Sequence, residues 1–284
     1  MKGIIIAAGY GTRFLPVTKT IPKEMLPLIN KPSIDFIIDE FIASGIREIL
    51  IITSRRKKVL DDYFDRDMEL ESVFAREGSK AKLNAIKQPD ADIFFKRQSE
   101  MRGTGHAILQ ARPFIGDEPF VVAYPDDLHF GDVPLASQLI STYHKTGCSV
   151  LSALHNPPDL ERYGVLAIAD DGLHVTDIIE KPAPGKEPSR EASIGRYLYT
   201  HDFFSLLKEG WDAHLASGSS GEYFHIYALK KLMDAGKVVF KSIEGERLDT
   251  GSPAGYLRAI IKYSMSDPEL EKVLREECGK LCRD

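Results

Sequence analysis

Two rhythms of apolar residues alternate along this chain. Ile4-Ile5-Ile6, Ile49-Leu50-Ile51-Ile52 and Phe120-Val121-Val122-Ala123 are short unbroken apolar runs, the mark of buried strands. Between the first two, Ile34, Ile37, Ile38, Phe41 and Ile42 recur at helical spacing, with Ser33 placed to cap that helix and Gly45 to end it. A strand–loop–helix–strand succession over residues 3–53 closes through a right-handed crossover, so its two strands are expected to be parallel. That is the start of a doubly wound α/β sheet.

The pattern continues with a helix over Val59–Phe64, then a charged, helix-permissive stretch from Met68 to Lys87 that suits a surface hairpin better than core. A strand at Ile93–Phe95 leads into an Arg102–His106 loop, a helix beginning at Ala107–Ala111, a helix carrying Leu135, Leu139 and Ile140, and a strand over Ser149–Leu154. Beyond residue 150 the elements shorten. Strands are expected at Tyr163–Ile168, Val175–Glu180 and Ile194–Tyr199, with Asp170-Asp171-Gly172 as a hairpin turn. Helices near Phe203–Leu207 and Tyr227–Met233, a strand at Val238–Phe240, and helices from Ala254 to about Cys282 complete the chain, with Pro268 in the first turn of the last. No internal repeat or low-complexity linker divides it. One unit over 1–284 is expected, its second half capping the first.

Composition narrows the choice of partners. Of 284 residues 43% are hydrophobic and 28% charged, ordinary values for a globular enzyme. With 37 basic against 42 acidic residues the net charge is −5, which argues against nucleic-acid or membrane binding and requires any polyanion site to concentrate its cations or use a metal. The N-terminal apolar run is too short for a signal peptide and no segment has the length of a membrane span, so a cytoplasmic protein is expected. Three cysteines (Cys148, Cys278, Cys282) form no framework; Cys278 and Cys282 are four apart, but nothing completes a metal set, and ordinary reduced thiols are expected.

The candidate chemistry gathers at strand ends. After Ile6 comes Ala7-Ala8-Gly9-Tyr10-Gly11-Thr12-Arg13, a glycine loop whose free N–H groups suit an anion, followed by Lys23 in Pro22-Lys23-Glu24-Met25. Arg13 and Lys23 add positive charge, and together they read as a polyphosphate cradle. It is neither a P-loop nor the dinucleotide fingerprint, because Phe14 stands where a third Gly should be. Asp126 and Asp127 follow the central strand, where ligands of open α/β sheets bind, and two carboxylates beside polyphosphate suggest Mg²⁺; a turn or helix cap is the plain alternative. Asp249 precedes Thr250-Gly251 at another strand end. Glu180 and Lys181 are neighbours that point to opposite faces unless Pro182 twists the strand end, and suit sugar hydroxyls and a monophosphate, or else a solvated end. Gly195 allows close backbone approach or marks a bulge. His106 beside two glycines could be catalytic, though a structural role is commoner. No protein nucleophile set is present. The equipment is that of phosphoryl-type transfer.

These segments, in order, resemble the bacterial UTP–glucose-1-phosphate uridylyltransferases (UDP-glucose pyrophosphorylases) of the sugar nucleotidyltransferase family. The likeness rests on Ala7–Pro16, Ile21–Pro27, Gly103–Ala107, Pro125–Asp127, Tyr163–Val165, Glu180–Pro182, Gly195–Tyr197 and Asp249–Gly251. The resemblance implies a Rossmann-like fold with a mostly parallel central sheet, a smaller sugar-side β lobe and C-terminal helices. Residues 1–150 would mainly bind nucleotide, and 151–284 mainly sugar. Ala8, Gly9 and Gly11 would wrap the nucleotide, with Arg13 on the triphosphate and Lys23 on the α-phosphate. Gln98 and Gly103 would read uracil; Asp126 and Asp249 would hold Mg²⁺. Gly164, Glu180 and Gly195 would meet glucose hydroxyls and Lys181 the sugar phosphate. The substrates would be UTP and glucose-1-phosphate, and a homo-oligomer is expected. Two stretches depart from the family pattern. Thr104 replaces the Leu of Gly-Leu-Gly-His, and Gly221-Glu222-Tyr223-Phe224-His225-Ile226-Tyr227 replaces Gly-Glu-Ile-Gln-Leu-Thr-Asp. They leave open another sugar phosphate, another pyrimidine nucleotide such as TTP, or a silent sugar-nucleotide-binding relative. An oxidoreductase is disfavoured by the missing third Gly.

Overall fold

In the computed structural model, which describes residues 1–281, the first strand is the middle of the parallel run. The nine strands of the main sheet are β1 (Lys2–Ile6), β2 (Glu48–Thr53), β3 (Asp92–Arg97), β4 (Phe120–Ala123), β5 (Ser149–His155), β6 (Gly164–Ile168), β7 (Val175–Glu180), β8 (Glu191–Tyr199) and β9 (Val238–Ser242). Their order is β7-β6-β8-β4-β1-β2-β3, with β5 pairing β8 and β9. β3, β2, β1 and β4 are mutually parallel, as the crossover requires, whereas β8 runs antiparallel to β4 and joins the second half to the same sheet.

The unbroken apolar runs are explained by burial on both faces. Ile4, Ile6, Leu50 and Ile52 enter one core cluster with Ile108 and Phe203, while Ile5, Ile49 and Ile51 enter another with Ile34, Ile37 and Phe41. The charged 68–87 stretch forms two short helices, Met68–Arg76 and Lys80–Ala85, that bury no residue. A helical hairpin lies there, on the surface.

Several boundaries moved. Ser33 does not cap its helix (Ser33–Ala43); its hydroxyl donates to the Leu26 carbonyl at 2.9 Å and Pro32 holds the cap position. The segment read as a loop through His106 turns helical at Thr104, and the helix after Phe203 runs on to Ala216. An antiparallel ribbon of Asp127–Phe130 with Glu246–Asp249 was not expected, because each strand is only four residues long and Glu246–Asp249 carries a single apolar residue. The last helix spans Pro268–Leu281; the expected end near Cys282, and the Cys278–Cys282 spacing, lie outside the described residues.

Candidate active site

The glycine loop begins where β1 ends. Ala7 still bonds to β2, its N–H donating to the Ile52 carbonyl at 2.8 Å, and the chain then turns out through Gly9 to Gly11. Gly11 has φ 67°, the left-handed region that costs a residue with a Cβ, and the Thr18 hydroxyl donates to its carbonyl at 2.7 Å. Arg13 Nη1 donates to the Gly251 carbonyl at 3.2 Å, which ties this loop to the far end of the chain.

Beneath the loop is a buried ion pair. Lys57 Nζ donates to Ala7 O at 2.5 Å and to both Glu24 carboxylate oxygens at 2.7 and 2.8 Å, with both side chains buried. Burial pulls the Lys57 pKa down, and Glu24 works against it. Glu24 shares a single 3₁₀ turn with Lys23, so the pair joins the glycine loop to the Lys23 turn. Sequence reading missed it: a Lys and a Glu 33 residues apart give no local signal.

Adjacent carboxylates divide the roles. Asp127 is buried, its Oδ2 accepting from the Gly195 N–H at 2.7 Å and its Oδ1 from Arg247 Nε at 2.6 Å. It is a structural anchor. Asp126 faces the other way and accepts from Lys23 Nζ at 2.5 Å. Asp249 lies opposite Asp127 in the ribbon, and its Oδ1 accepts from the Gly251 N–H at 2.8 Å. A methyl group placed on Gly251 would sit 2.7 Å from Asp126 Oδ2 and 3.0 Å from Asp249 Oδ1, so glycine leaves one small gap flanked by both carboxylates. Among the described residues no set of three or more His, Cys, Asp or Glu converges on a metal position. Two carboxylates around a gap open to phosphate suit a divalent cation that completes its shell with substrate oxygens. A cavity of about 390 Å³ collects Gly9, Arg13, Lys23, Thr104, Asp126 and Asp249 on its wall.

A second cavity, also about 390 Å³, carries Gly164 and Glu180, faced by Phe224, Ile226 and Leu229. The two meet at two contacts. Tyr124 of the first and Tyr197 of the second stand edge to face with centroids 6.3 Å apart, and Thr104 Oγ1 lies 3.4 Å from His225 Nδ1. Burial pushes the Tyr197 hydroxyl up to about 12 and the His225 imidazole down to about 4, so both are neutral near pH 7. A Cβ on Gly164 would come within 3.1 Å of Glu180 Oε2, so glycine keeps that carboxylate's position clear. β7 ends at Glu180, and Lys181 itself makes the turn at φ 47°, its N–H donating to Tyr163 O at 2.9 Å. Lys181 is thus itself the strained residue, and the chain leaves the strand there, directly before Pro182.

Gly195 sits inside the register shift of β8 between Ser193 and Tyr197, so it marks a bulge and a close approach together. A Cβ there would lie 2.6 Å from Asp127 Oδ2, and its N–H is already given to that oxygen. Gln98 is buried and donates to Gly103 O at 3.2 Å, so the two residues are brought together. The Gln98 amide also meets His106 Nδ1 at 3.0 Å, while Gln110 engages Nε2 at 3.3 Å. Burial, then the charge of Arg102, lowers the His106 pKa. His106 orients the Gln98 amide, which is the structural role. Gly103 has φ 89° and a Cβ on it would lie 2.5 Å from Tyr223 O, so the 221–227 segment packs directly on this loop.

Residues 2–266 match the nucleotidyl transferase family. The chain is 40% identical over 286 residues to UTP–glucose-1-phosphate uridylyltransferase 2 of Staphylococcus saprophyticus, covering 99% of this chain and 97% of that one. Its fold is similar to a UTP-bound UGPase from Acinetobacter baumannii (TM-score 0.87, 28% identity, 99% of each chain). It is also similar to a UDP-glucose pyrophosphorylase complexed with UDP-glucose (TM-score 0.78, 36% identity, 93% of this chain and 98% of that one).

Proposed function

The chain belongs to the nucleotidyl transferase family, and from that premise we propose that it transfers a uridylyl group from UTP to glucose-1-phosphate, giving UDP-glucose and pyrophosphate. The observation that carries this reading is the convergence of Lys23, Arg13, Asp126 and Asp249 on one cavity, next to a second that holds Glu180. The relatives with this name cover nearly the whole chain.

In this reading the Gly9–Gly11 loop turns its N–H groups to the triphosphate, Arg13 contacts it, and Lys23 neutralises charge that builds on the α-phosphate. Asp126 and Asp249 hold Mg²⁺, which supplies further neutralisation of the phosphate oxygens when bound. Gln98 and Gly103 face the uracil edge. Glu180 accepts from glucose hydroxyls, with Gly164 and Gly195 letting the sugar approach, and Lys181 holds the sugar phosphate. An oxygen of glucose-1-phosphate attacks the α-phosphorus, its new P–O bond forming as the bond to the β-phosphate breaks. Pyrophosphate leaves with that electron pair. No side chain is acylated or phosphorylated on the way, which agrees with there being no Ser, Cys or His among the described residues that line the cavity. Residues 1–150 serve nucleotide and 151–284 serve sugar within one unit. No helix among the described residues is long and apolar enough to cross a membrane; a cytoplasmic homo-oligomer completes the proposal, to be checked by light scattering.

The deciding experiment is pyrophosphate release across nucleoside triphosphates and sugar 1-phosphates. UTP with glucose-1-phosphate should be best and TTP a detectable second, since a methyl group is rejected only sterically, typically by about 1–3 kcal/mol. CTP and ATP invert the hydrogen-bond pattern and should be poor. A preference for ATP or CTP would overturn the uridylyl assignment.

A further inference from the structure

We propose that His225, held by Thr104, reads a hydroxyl of the acceptor sugar, so that this pair sets acceptor specificity from the side of the cavity where its neighbours Phe224, Ile226 and Leu229 are apolar. The inference rests on the uridylyltransferase reading and adds a recognition residue to it.

His225 is 8% exposed and borders the acceptor cavity. Its Nδ1 is 3.4 Å from Thr104 Oγ1, while among the described residues Nε2 has no protein partner. Nor is Nε2 among the sealed-off polar atoms that lack both a partner and access to solvent. The free nitrogen therefore opens on the cavity its ring lines. Around it stand Phe224, Ile226, Leu229 and Ile178, with Glu180 and Ser193 as the other polar groups. A buried donor or acceptor costs free energy until something pairs with it, and since no protein group among the described residues pairs with Nε2, a ligand in the cavity can supply that partner.

Thr104 gives the imidazole its orientation. It starts the helix Thr104–Leu109 and also lines the phosphate cavity, so it spans the partition between the two. The ring is further fixed by Tyr197, whose centroid is 5.3 Å away. Burial keeps the imidazole neutral, so Nε2 offers a single directional hydrogen bond and no charge. Thr104 and His225 are also the two places where leucines of the family pattern have become polar, and the fold puts them in contact. Either change alone would leave a buried polar group facing a leucine. Together they form a hydrogen-bonding pair with one nitrogen left for substrate. A leucine at 225 could only exclude, whereas the imidazole can select.

The test titrates UDP and UDP-glucose, with Mg²⁺, into the full-length protein and into His225→Leu and Thr104→Leu/His225→Leu. The double variant replaces a polar contact by an apolar one of the relatives' type, and thermal melting checks that it folds. We expect both variants to bind UDP-glucose about tenfold more weakly while UDP affinity stays within about twofold, as loss of one oriented hydrogen bond predicts. In turnover, KM for glucose-1-phosphate should rise with little change for UTP. One deoxyglucose 1-phosphate, lacking the hydroxyl that pairs with Nε2, should show no further loss in the variants. A folded double variant that binds UDP-glucose as well as the wild type overturns the proposal, as does one that loses UDP to the same extent. A wild-type protein that uses no sugar 1-phosphate with any nucleotide overturns the underlying reading and the proposal with it. An active wild type matched by the double variant overturns only the proposal.

Discussion

Two cavities of the same volume, about 390 Å³, lie back to back and are built on opposite principles. The first, which the proposal gives to the phosphates, is lined by charges of both signs, and its glycine loop is held from beneath by the Lys57–Glu24 pair. The second, which the proposal gives to the acceptor sugar, has Phe224, Ile226 and Leu229 on one side, and the loop that leads into them is held by backbone bonds instead: Gly105 N–H to Tyr223 O at 2.9 Å and Tyr223 N–H to Arg102 O at 2.8 Å. A polyanion demands fixed countercharge, and charges of one sign hold position only if their partners are fixed as well. A sugar demands shape and a few hydrogen bonds. The first side therefore needs particular charged residues, whereas part of the second can be met by side chains of different chemistry. Here the family pattern is kept at Gly9, Arg13, Lys23, Asp126 and Asp249, departs at Thr104, and is replaced in the 223–227 segment.

The comparison breaks most sharply at the buried pair. Lys57→Met leaves Glu24 buried without a partner and should cost about 3–5 kcal/mol in chemical denaturation, whereas Lys57→Met/Glu24→Gln should recover much of it. Equal stability of the single variant and the wild type would mean that the cradle is held by packing alone. Next in size, Asp126→Asn and Asp249→Asn should each slow turnover by about a hundredfold or more with the fold retained, because countercharge at the phosphates is lost. Asp127→Asn should instead show up first in melting, since its carboxylate serves Gly195 and Arg247. Near-normal rates in both cavity variants would dissolve the distinction between the two aspartates.

The acceptor side is sharpened by pH. The His225 pKa lies near 4 in the folded chain, below the unfolded value of about 6.5. Above pH 6.5 the ring is neutral in both states and contributes nothing to pH dependence. As pH falls from about 6.5 to 4 the unfolded chain takes up a proton that the folded chain refuses, so stability drops, by up to about 3 kcal/mol. His225→Leu should remove that part of the slope; melting curves with the same slope for variant and wild type would show the ring to be exposed. Lys181→Ala should raise KM for glucose-1-phosphate about tenfold and hardly change that for UTP. Equal changes for both would make Lys181 a structural turn residue. Smallest, Tyr223→Phe removes the hydroxyl that donates to Leu207 O at 2.7 Å and should lower stability by about 1 kcal/mol, read as a shift in Tm.

What the chain reveals by itself follows how local each cause is. The strands Lys2–Ile6, Glu48–Thr53 and Phe120–Ala123 were legible because burial on both faces writes an unbroken apolar run, and the Ser33–Ala43 helix because its stripe repeats within two turns. That Gly9, Arg13 and Lys23 share one cavity was open to sequence reading for the same reason, since they are near neighbours in the chain. Only the tertiary structure decided that Asp126 meets Lys23 while Asp127 is taken up by Gly195 and Arg247, that a ribbon of four-residue strands carries Asp249 to the same cavity, and that Lys57 reaches under the loop to Glu24. It alone joined Thr104 to His225 across 121 residues. Those outcomes depend on which distant groups can satisfy one another's charge and hydrogen bonds once water is excluded, and no periodicity within a single segment records that.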